Sequence, residues 1–182
     1  MIVAPTAIAD VLLVQPTVHG DQRGFFLETW HAPRYAEAGI PGPFVQDNHS
    51  RSAARTLRGL HYQIDRPQGK LVRVALGAVF DVAVDLRRSS ATFGRWVGTV
   101  LSDENHHQLY VPPGFAHGFY VLRGPADLFY KCTALYAEEF DRGLRWDDPA
   151  LGIDWPLADA SPPLLSAKDA VAPPLREAET YP

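Results

Sequence analysis

Leu57-Arg58-Gly59-Leu60-His61-Tyr62-Gln63, followed shortly by Gln68-Gly69-Lys70-Leu71-Val72, sets an arginine, a histidine and a lysine on adjoining stretches with the composition of β-strands. Strand alternation puts Thr56, Arg58, Leu60 and Tyr62 on one face and Leu57, Gly59, His61 and Gln63 on the other. Beyond a turn at Pro67-Gln68-Gly69, Lys70, Val72 and Val74 line a single face of the next strand. Imidazole titrates near neutral pH and an ammonium is a compact fixed charge, so His61 converging with Lys70 points to proton transfer beside a stabilised anion. A strand histidine also serves as a hydrogen-bonded structural group. The chemistry therefore depends on what the rest of the chain brings to it.

The elements that must position these groups are short β-like runs separated by 14 glycines and 16 prolines in a chain of 182 residues. Strands are predicted over residues 11–14, 25–29, 44–49, 56–62, 70–76, 78–86, 96–101, 107–111, 118–122 and 128–134. The clearest alternation opposes Phe80, Val82, Val84 and Leu86 to Val79, Asp81, Ala83 and Asp85. Gly77 reads as the turn before it. A short helix over 33–38, with Pro33 in its first turn and Gly39 as its stop, is expected to close one end of a barrel. From about Asp147 the strand pattern gives way to prolines and polar residues, read as a C-terminal segment packed around one domain spanning 1–182. Many short antiparallel strands with few helices predict an all-β jelly roll, its ligand cavity in the barrel mouth.

A hydrophobic content of 46% argues against disorder, and a formal net charge of -4 leaves no basic excess for a nucleic-acid polymer. Cys132 is the one cysteine, so no intrachain disulfide forms, and a buried strand role fits it better than a reactive thiol. No stretch reads as a signal peptide or a membrane span. A soluble cytoplasmic protein is expected.

Pro112-Pro113-Gly114-Phe115-Ala116-His117-Gly118 resembles the second motif of the cupin superfamily, whose histidine often binds a transition metal. Metal-binding cupins place two histidines one residue apart and then a glutamate in their first motif. Here Gln63 follows His61, and Gln68 and Lys70 stand where the acid would be sought. Two imidazoles without that carboxylate, beside an ammonium, make a poor divalent site. His106 and His107 do not complete it, because neighbours on a strand face opposite ways. No metal and no cofactor are expected.

The whole set of motifs resembles the dTDP-4-dehydrorhamnose 3,5-epimerase family of metal-free cupins, over nearly the whole chain. Besides the two runs above, the resemblance is carried by Asp21-Gln22-Arg23-Gly24-Phe25-Phe26-Leu27-Glu28 and Phe44-Val45-Gln46-Asp47-Asn48-His49-Ser50, then by 114–119, Tyr130-Lys131-Cys132-Thr133 with Tyr136, and Ser166-Ala167-Lys168-Asp169. One such motif is weak; the series in family order is specific. The resemblance implies a cupin-type barrel that epimerises dTDP-4-dehydro-6-deoxy-D-glucose at carbons 3 and 5, by deprotonation and reprotonation next to the 4-ketone.

By the same resemblance His61 is the base, Asp169 its partner, Tyr130 the acid on the opposite face of the ring, and Lys70 the stabiliser of the enolate oxygen. His117 contacts the sugar, and Arg23 and Arg58 take the diphosphate. Glu28 with Gln46, Asp47 and Asn48 holds the thymidine, Tyr136 stacks on the base, and Lys168 and Asp141 add ligand contacts. The family forms homodimers in which an N-terminal strand crosses over, so Arg23, Phe26 and Glu28 are candidates to serve the partner's site. Three positions depart from the family pattern: Asp141 where glutamate is common, Ala91 where proline is, and Arg55 where glycine is. Epimerisation at carbon 3 alone, ketoisomerisation, and a noncatalytic sugar-nucleotide-binding cupin are the alternatives. The paired acid and base speak against the last.

Overall fold

The computed structural model describes residues 1–158 and 161–182. Its strands are β1 Ile2–Pro5, β2 Leu12–Gln15, β3 Val18–Asp21, β4 Gly24–Leu27, β5 Gln46–Ser52, β6 Leu57–Gln63, β7 Lys70–Asp85, β8 Trp96–Ser102, β9 Gln108–Val111, β10 Phe115–Cys132 and β11 Asp141–Gly143; the helices are α1 Ala32–Glu37 and α2 Ala167–Ala170. Two long strands, β7 and β10, each serve both layers of a jelly-roll barrel. Residues 70–76 of β7 and 127–132 of β10 pair with each other, and are flanked by β9 and β5. Their other halves also pair with each other, flanked by β8 and β6, with β11 beyond β6. β1 and β2 extend the first layer through β9.

This arrangement explains why β7 reads as an almost unbroken apolar run. Its inward side chains Val72, Val74, Val79 and Ala83 meet Leu109, Phe119, Val121 and Leu128 in the barrel core. Val82 and Val84 face outward from the second layer, yet are covered together with Leu60 and Tyr62 by Leu151, Ala178 and Tyr181 from the C-terminal segment. Leu71 on the first layer is covered with Val14 and Tyr110 by Tyr35 and Ile40. Helix α1 thus seals an outer face of the barrel instead of closing an end.

Gly77 is no turn. It bends a continuous strand at φ +81°, where an added Cβ would sit 2.4 Å from the Arg123 carbonyl oxygen and 2.7 Å from that of Pro125. Only glycine fits where β7 and β10 cross this closely. The predicted strands at 118–122 and 128–134 likewise fuse into β10. β1, β3 and β11 had no sequence counterpart, being short and lacking a sustained period-two pattern.

Candidate active site

The barrel holds a cavity of about 390 Å³, lined by His61, Lys70, His117, Tyr130 and Asp169, with Arg58, Ser50 and Ser166 around them. His61 and Asp169 meet first. The imidazole Nε2 lies 2.6 Å from Asp169 Oδ1, with the carboxylate side chain 4% exposed. Asp169 sits in the short helix α2, whose Ser166 side chain accepts from the Asp169 amide at 3.1 Å. Burial alone would raise the Asp169 carboxyl. The hydrogen bond and charge of His61, helped by the Gly59 amide, hold it below its ordinary value instead. With Nε2 engaged, Nδ1 is the ring nitrogen left to accept a proton.

His117, the Cα partner of His61 across the β6–β10 ladder, makes a second pair: its Nε2 is 2.9 and 3.0 Å from the carboxylate oxygens of the fully buried Asp81. Asp81 was not among the predicted site residues. Its signal is an acid between Val79 and Ala83 on the inward face of the strand, a position that needs a partner.

Lys70, 8% exposed, donates to the His61 carbonyl at 3.5 Å. Burial pulls its ammonium below the ordinary lysine pKa, while Cys132, Asp141 and Asp81 pull it back up. The Tyr130 phenol is pushed up, first by burial and then by Cys132, with Arg58 opposing. His61 comes from the β6 layer, whereas Tyr130 lies in the half of β10 that belongs to the other layer. The two therefore face the cavity from different walls.

Arg58 and His61 both line this cavity, although strict alternation put them on opposite faces. The register shows why. Across from His117 and Phe119, two residues apart on β10, stand His61 and Arg58, three apart on β6. The extra residue is a bulge that turns Arg58 inward. Gly59 makes it possible: at φ +120°, its added Cβ would lie 2.6 Å from the Gly118 Cα. Arg58 Nε donates to Ser52 Oγ at 2.9 Å, which fixes the guanidinium at the cavity wall.

An adjoining cavity of about 300 Å³ shares His61, Lys70, Tyr130 and Lys168, and adds Gln46, Asn48, Gln63, Gln68, Tyr136 and Asp141. Asp141 Oδ2 accepts from the Tyr136 hydroxyl at 3.2 Å and is ion-paired with Lys168. The aspartate thus ties two predicted ligand contacts together despite its short side chain.

Asp47 is not brought here. Alternation along β5 sends Gln46, Asn48 and Ser50 one way and Asp47 the other, where it pairs with Lys131 at 2.8 Å beside a neighbouring cavity that shares Asn48 and Tyr130 with the site. Arg23, Phe26 and Glu28 are also apart from His61 within the chain. They belong to the β3–β4 hairpin and its exit, where Arg23 pairs with Asp21 at 2.5 Å and Glu28 with Arg34 at 2.5 Å. Ser50 joins the site unpredicted; its Oγ is buried without a hydrogen-bond partner. Among the described residues, no three or more His, Cys, Asp or Glu side chains gather to hold a metal ion.

The family model described as dTDP-4-dehydrorhamnose 3,5-epimerase matches residues 5–177. The dTDP-4-dehydrorhamnose 3,5-epimerase of Pseudomonas aeruginosa is 57% identical over 177 residues, 97% of either chain. The crystal structure of a dTDP-6-deoxy-D-glucose-3,5-epimerase from Legionella pneumophila, in complex with dTDP-4-keto-L-rhamnose, superposes with a TM-score of 0.94 at 51% identity, covering 97% of this chain and 94% of that one. A 3'-monoepimerase from Streptomyces bikiniensis, in complex with dTDP-quinovose, gives 0.88 at 35% identity over 95% and 87%.

Proposed function

The chain belongs to the dTDP-4-dehydrorhamnose 3,5-epimerase family, and from that premise we propose how its own side chains divide the work. It is an isomerase that inverts carbons 3 and 5 of dTDP-4-dehydro-6-deoxy-D-glucose to give dTDP-4-dehydro-L-rhamnose. The observation that carries our assignment is the His61–Asp169 pair at 2.6 Å, sharing one cavity with Lys70 and Tyr130.

The 4-ketone acidifies the hydrogens on carbons 3 and 5. His61 Nδ1 removes one of them. The C–H electron pair moves into the C–C bond to the ketone carbon, and the carbonyl π pair moves onto oxygen. Lys70 donates to that developing enolate oxygen; a preorganised donor in a water-poor site is worth about 3 kcal/mol in comparable oxyanion sites. Asp169 stabilises the imidazolium left on His61. Tyr130 then returns a proton to the opposite face, and carbon is inverted with atoms balanced. That leaves a His61 imidazolium and a Tyr130 phenolate; once His61 gives its proton to solvent and Tyr130 takes one from it, the same steps at the second carbon complete the reaction. His117, fixed by Asp81, contacts the sugar, and Arg58 takes the diphosphate.

The nucleotide end lies, in this reading, along Gln46, Asn48, Tyr136, Asp141 and Lys168. Arg23, Phe26 and Glu28 act across a homodimer. Support comes from the hairpin itself, a two-stranded sheet of its own with Phe25 and Phe26 62% and 71% exposed, since adjacent bare aromatics call for cover. The protein works in the reducing cytoplasm, where the unpaired Cys132 thiol persists.

The test is incubation with dTDP-4-keto-6-deoxyglucose in deuterated water, following each carbon by NMR. Exchange and inversion at both carbons is expected. Exchange at carbon 3 alone would make the chain a monoepimerase, and no exchange would make it a binding module.

A further inference from the structure

We propose that Gln63 and Gln68 are positioning residues, two jaws of a side-chain clamp that holds the Tyr136 loop against the nucleotide end of the cavity. Residues 133–137 leave β10 and run without helix or strand; the Thr133 amide still donates to the Gly69 carbonyl and the Ala137 carbonyl accepts from the Phe140 amide, but the groups between lie off any ladder. Side-chain amides supply their partners. Gln68 Nε2 donates to the Ala134 carbonyl at 2.8 Å, and Gln63 Nε2 to that of Leu135 at 3.3 Å. The Tyr136 amide donates to Gln46 Oε1 at 2.8 Å and the Ala137 amide to Gln63 Oε1 at 2.8 Å. Three glutamines from separate segments thus grip four consecutive residues. A primary amide offers one acceptor and two donors, which lets Gln63 hold a carbonyl and an N–H of the same loop at once.

Gln63 is also fixed from behind. Its Nε2 reaches the Arg66 carbonyl at 2.9 Å, and its own carbonyl accepts the Tyr181 hydroxyl at 2.5 Å. It is 3% exposed, whereas Tyr136, the residue it steadies, is 54% exposed. An exposed aromatic on an unladdered loop would lose conformational freedom on binding a base. A loop already held has less to lose, and that saving appears as affinity. Gln63 stands two residues after His61, so one strand carries the proposed base and the anchor of the nucleotide wall.

This inference rests on the reading that Tyr136 packs against the nucleotide, and the experiment separates the two. Calorimetric titration with dTDP is run on the wild type, Gln68→Ala, Tyr136→Ala and the double variant. Tyr136→Ala should weaken binding about tenfold, the scale of one lost base stack. Gln68→Ala should weaken it about fivefold, the scale of one net hydrogen bond. In the Tyr136→Ala background Gln68→Ala should have no further effect, because its action passes through that ring. Equal weakening by Gln68→Ala in both backgrounds, or none in either, would overturn the clamp. No loss on Tyr136→Ala would overturn the placement of the nucleotide instead. Gln63→Glu keeps the acceptor for Ala137 but cannot donate to Leu135, so it should follow Gln68→Ala in direction and in its dependence on Tyr136. If that buried change prevents folding, the two Gln68→Ala titrations decide the matter.

Discussion

Asp169→Asn is the sharpest test of the proposed base. The carboxylate meets His61 Nε2 at 2.6 Å and receives the Gly59 amide as well. An asparagine of the same shape offers one acceptor oxygen where the carboxylate has two. If that oxygen stays on Nε2, a charge-assisted bond becomes a neutral one, and the imidazolium formed during proton abstraction loses about 2 kcal/mol, or about thirtyfold in rate. If the oxygen turns to the Gly59 amide, the asparagine NH2 faces Nε2 and forces the ring proton onto Nδ1. The base is then blocked, and a loss of about 10⁴ is the scale seen when a histidine's orienting acid is exchanged in this way. Deuterium exchange at carbons 3 and 5 should thus fall by between about thirty and 10⁴-fold, while dTDP affinity stays within about twofold of wild type, an energy difference smaller than one net hydrogen bond. Exchange within about threefold of wild type, less than 1 kcal/mol of barrier, would refute the reasoning. A parallel collapse of dTDP affinity would show that Asp169 holds the fold and not the base.

Further outcomes follow from the same geometry. Tyr130→Phe keeps the ring but deletes its proton, so deuterium return by His61 to the original face should persist while inverted product falls; an unchanged ratio of exchange to inversion with unchanged turnover would remove Tyr130 from the mechanism. Activity should survive prolonged chelation, since His61 and His117 each have Nε2 committed to an aspartate; recovery of lost activity on adding back a metal would overturn this. The Asp85 carboxyl, which burial would raise, is held down at about 2 by Arg87, Ser90 and Thr92. A depressed carboxyl contributes its stability above its unfolded pKa and loses it as pH falls. Asp85→Asn should therefore cost about 2 kcal/mol near neutrality, and its melting temperature should converge with wild type as pH falls from about 4 to about 2. Arg55 holds φ +66°, so Arg55→Gly should raise the denaturation free energy by about 0.5–1 kcal/mol; a fall would show that its side-chain contacts outweigh the backbone.

How legible the molecule was depended on whether local periodicity survived the long-range crossings. The alternation of residues 78–86 held, because both faces of that strand meet apolar layers. The ends of that prediction did not, since a strand that bends at Gly77 and continues looks in sequence like two strands and a turn. The cause lies 46 and 48 residues away, in the Arg123 and Pro125 carbonyls that leave no room for a Cβ. Arg55 shows the reverse case, in which a departure noted in sequence acquires its meaning from one dihedral. The backbone there is left-handed, a conformation glycine adopts without strain.

The site followed the same division. The resemblance proposed the acid, base and enolate stabiliser, whereas period-two reasoning put Arg58 behind the sheet from His61. The single-residue bulge opposite His117 and Phe119 reverses that and brings both side chains to one cavity. Alternation held in β5 and turned Asp47 away from Gln46 and Asn48, in a run that resemblance had treated as one unit. The bulge at Gly59 therefore does what a longer loop would do less rigidly: it lets one short strand do three tasks, placing Arg58 at the cavity wall, His61 beside Asp169 and Gln63 against residues 135–137. An alanine at position 59 would meet the Gly118 Cα at 2.6 Å. That clash should uncouple all three tasks at once.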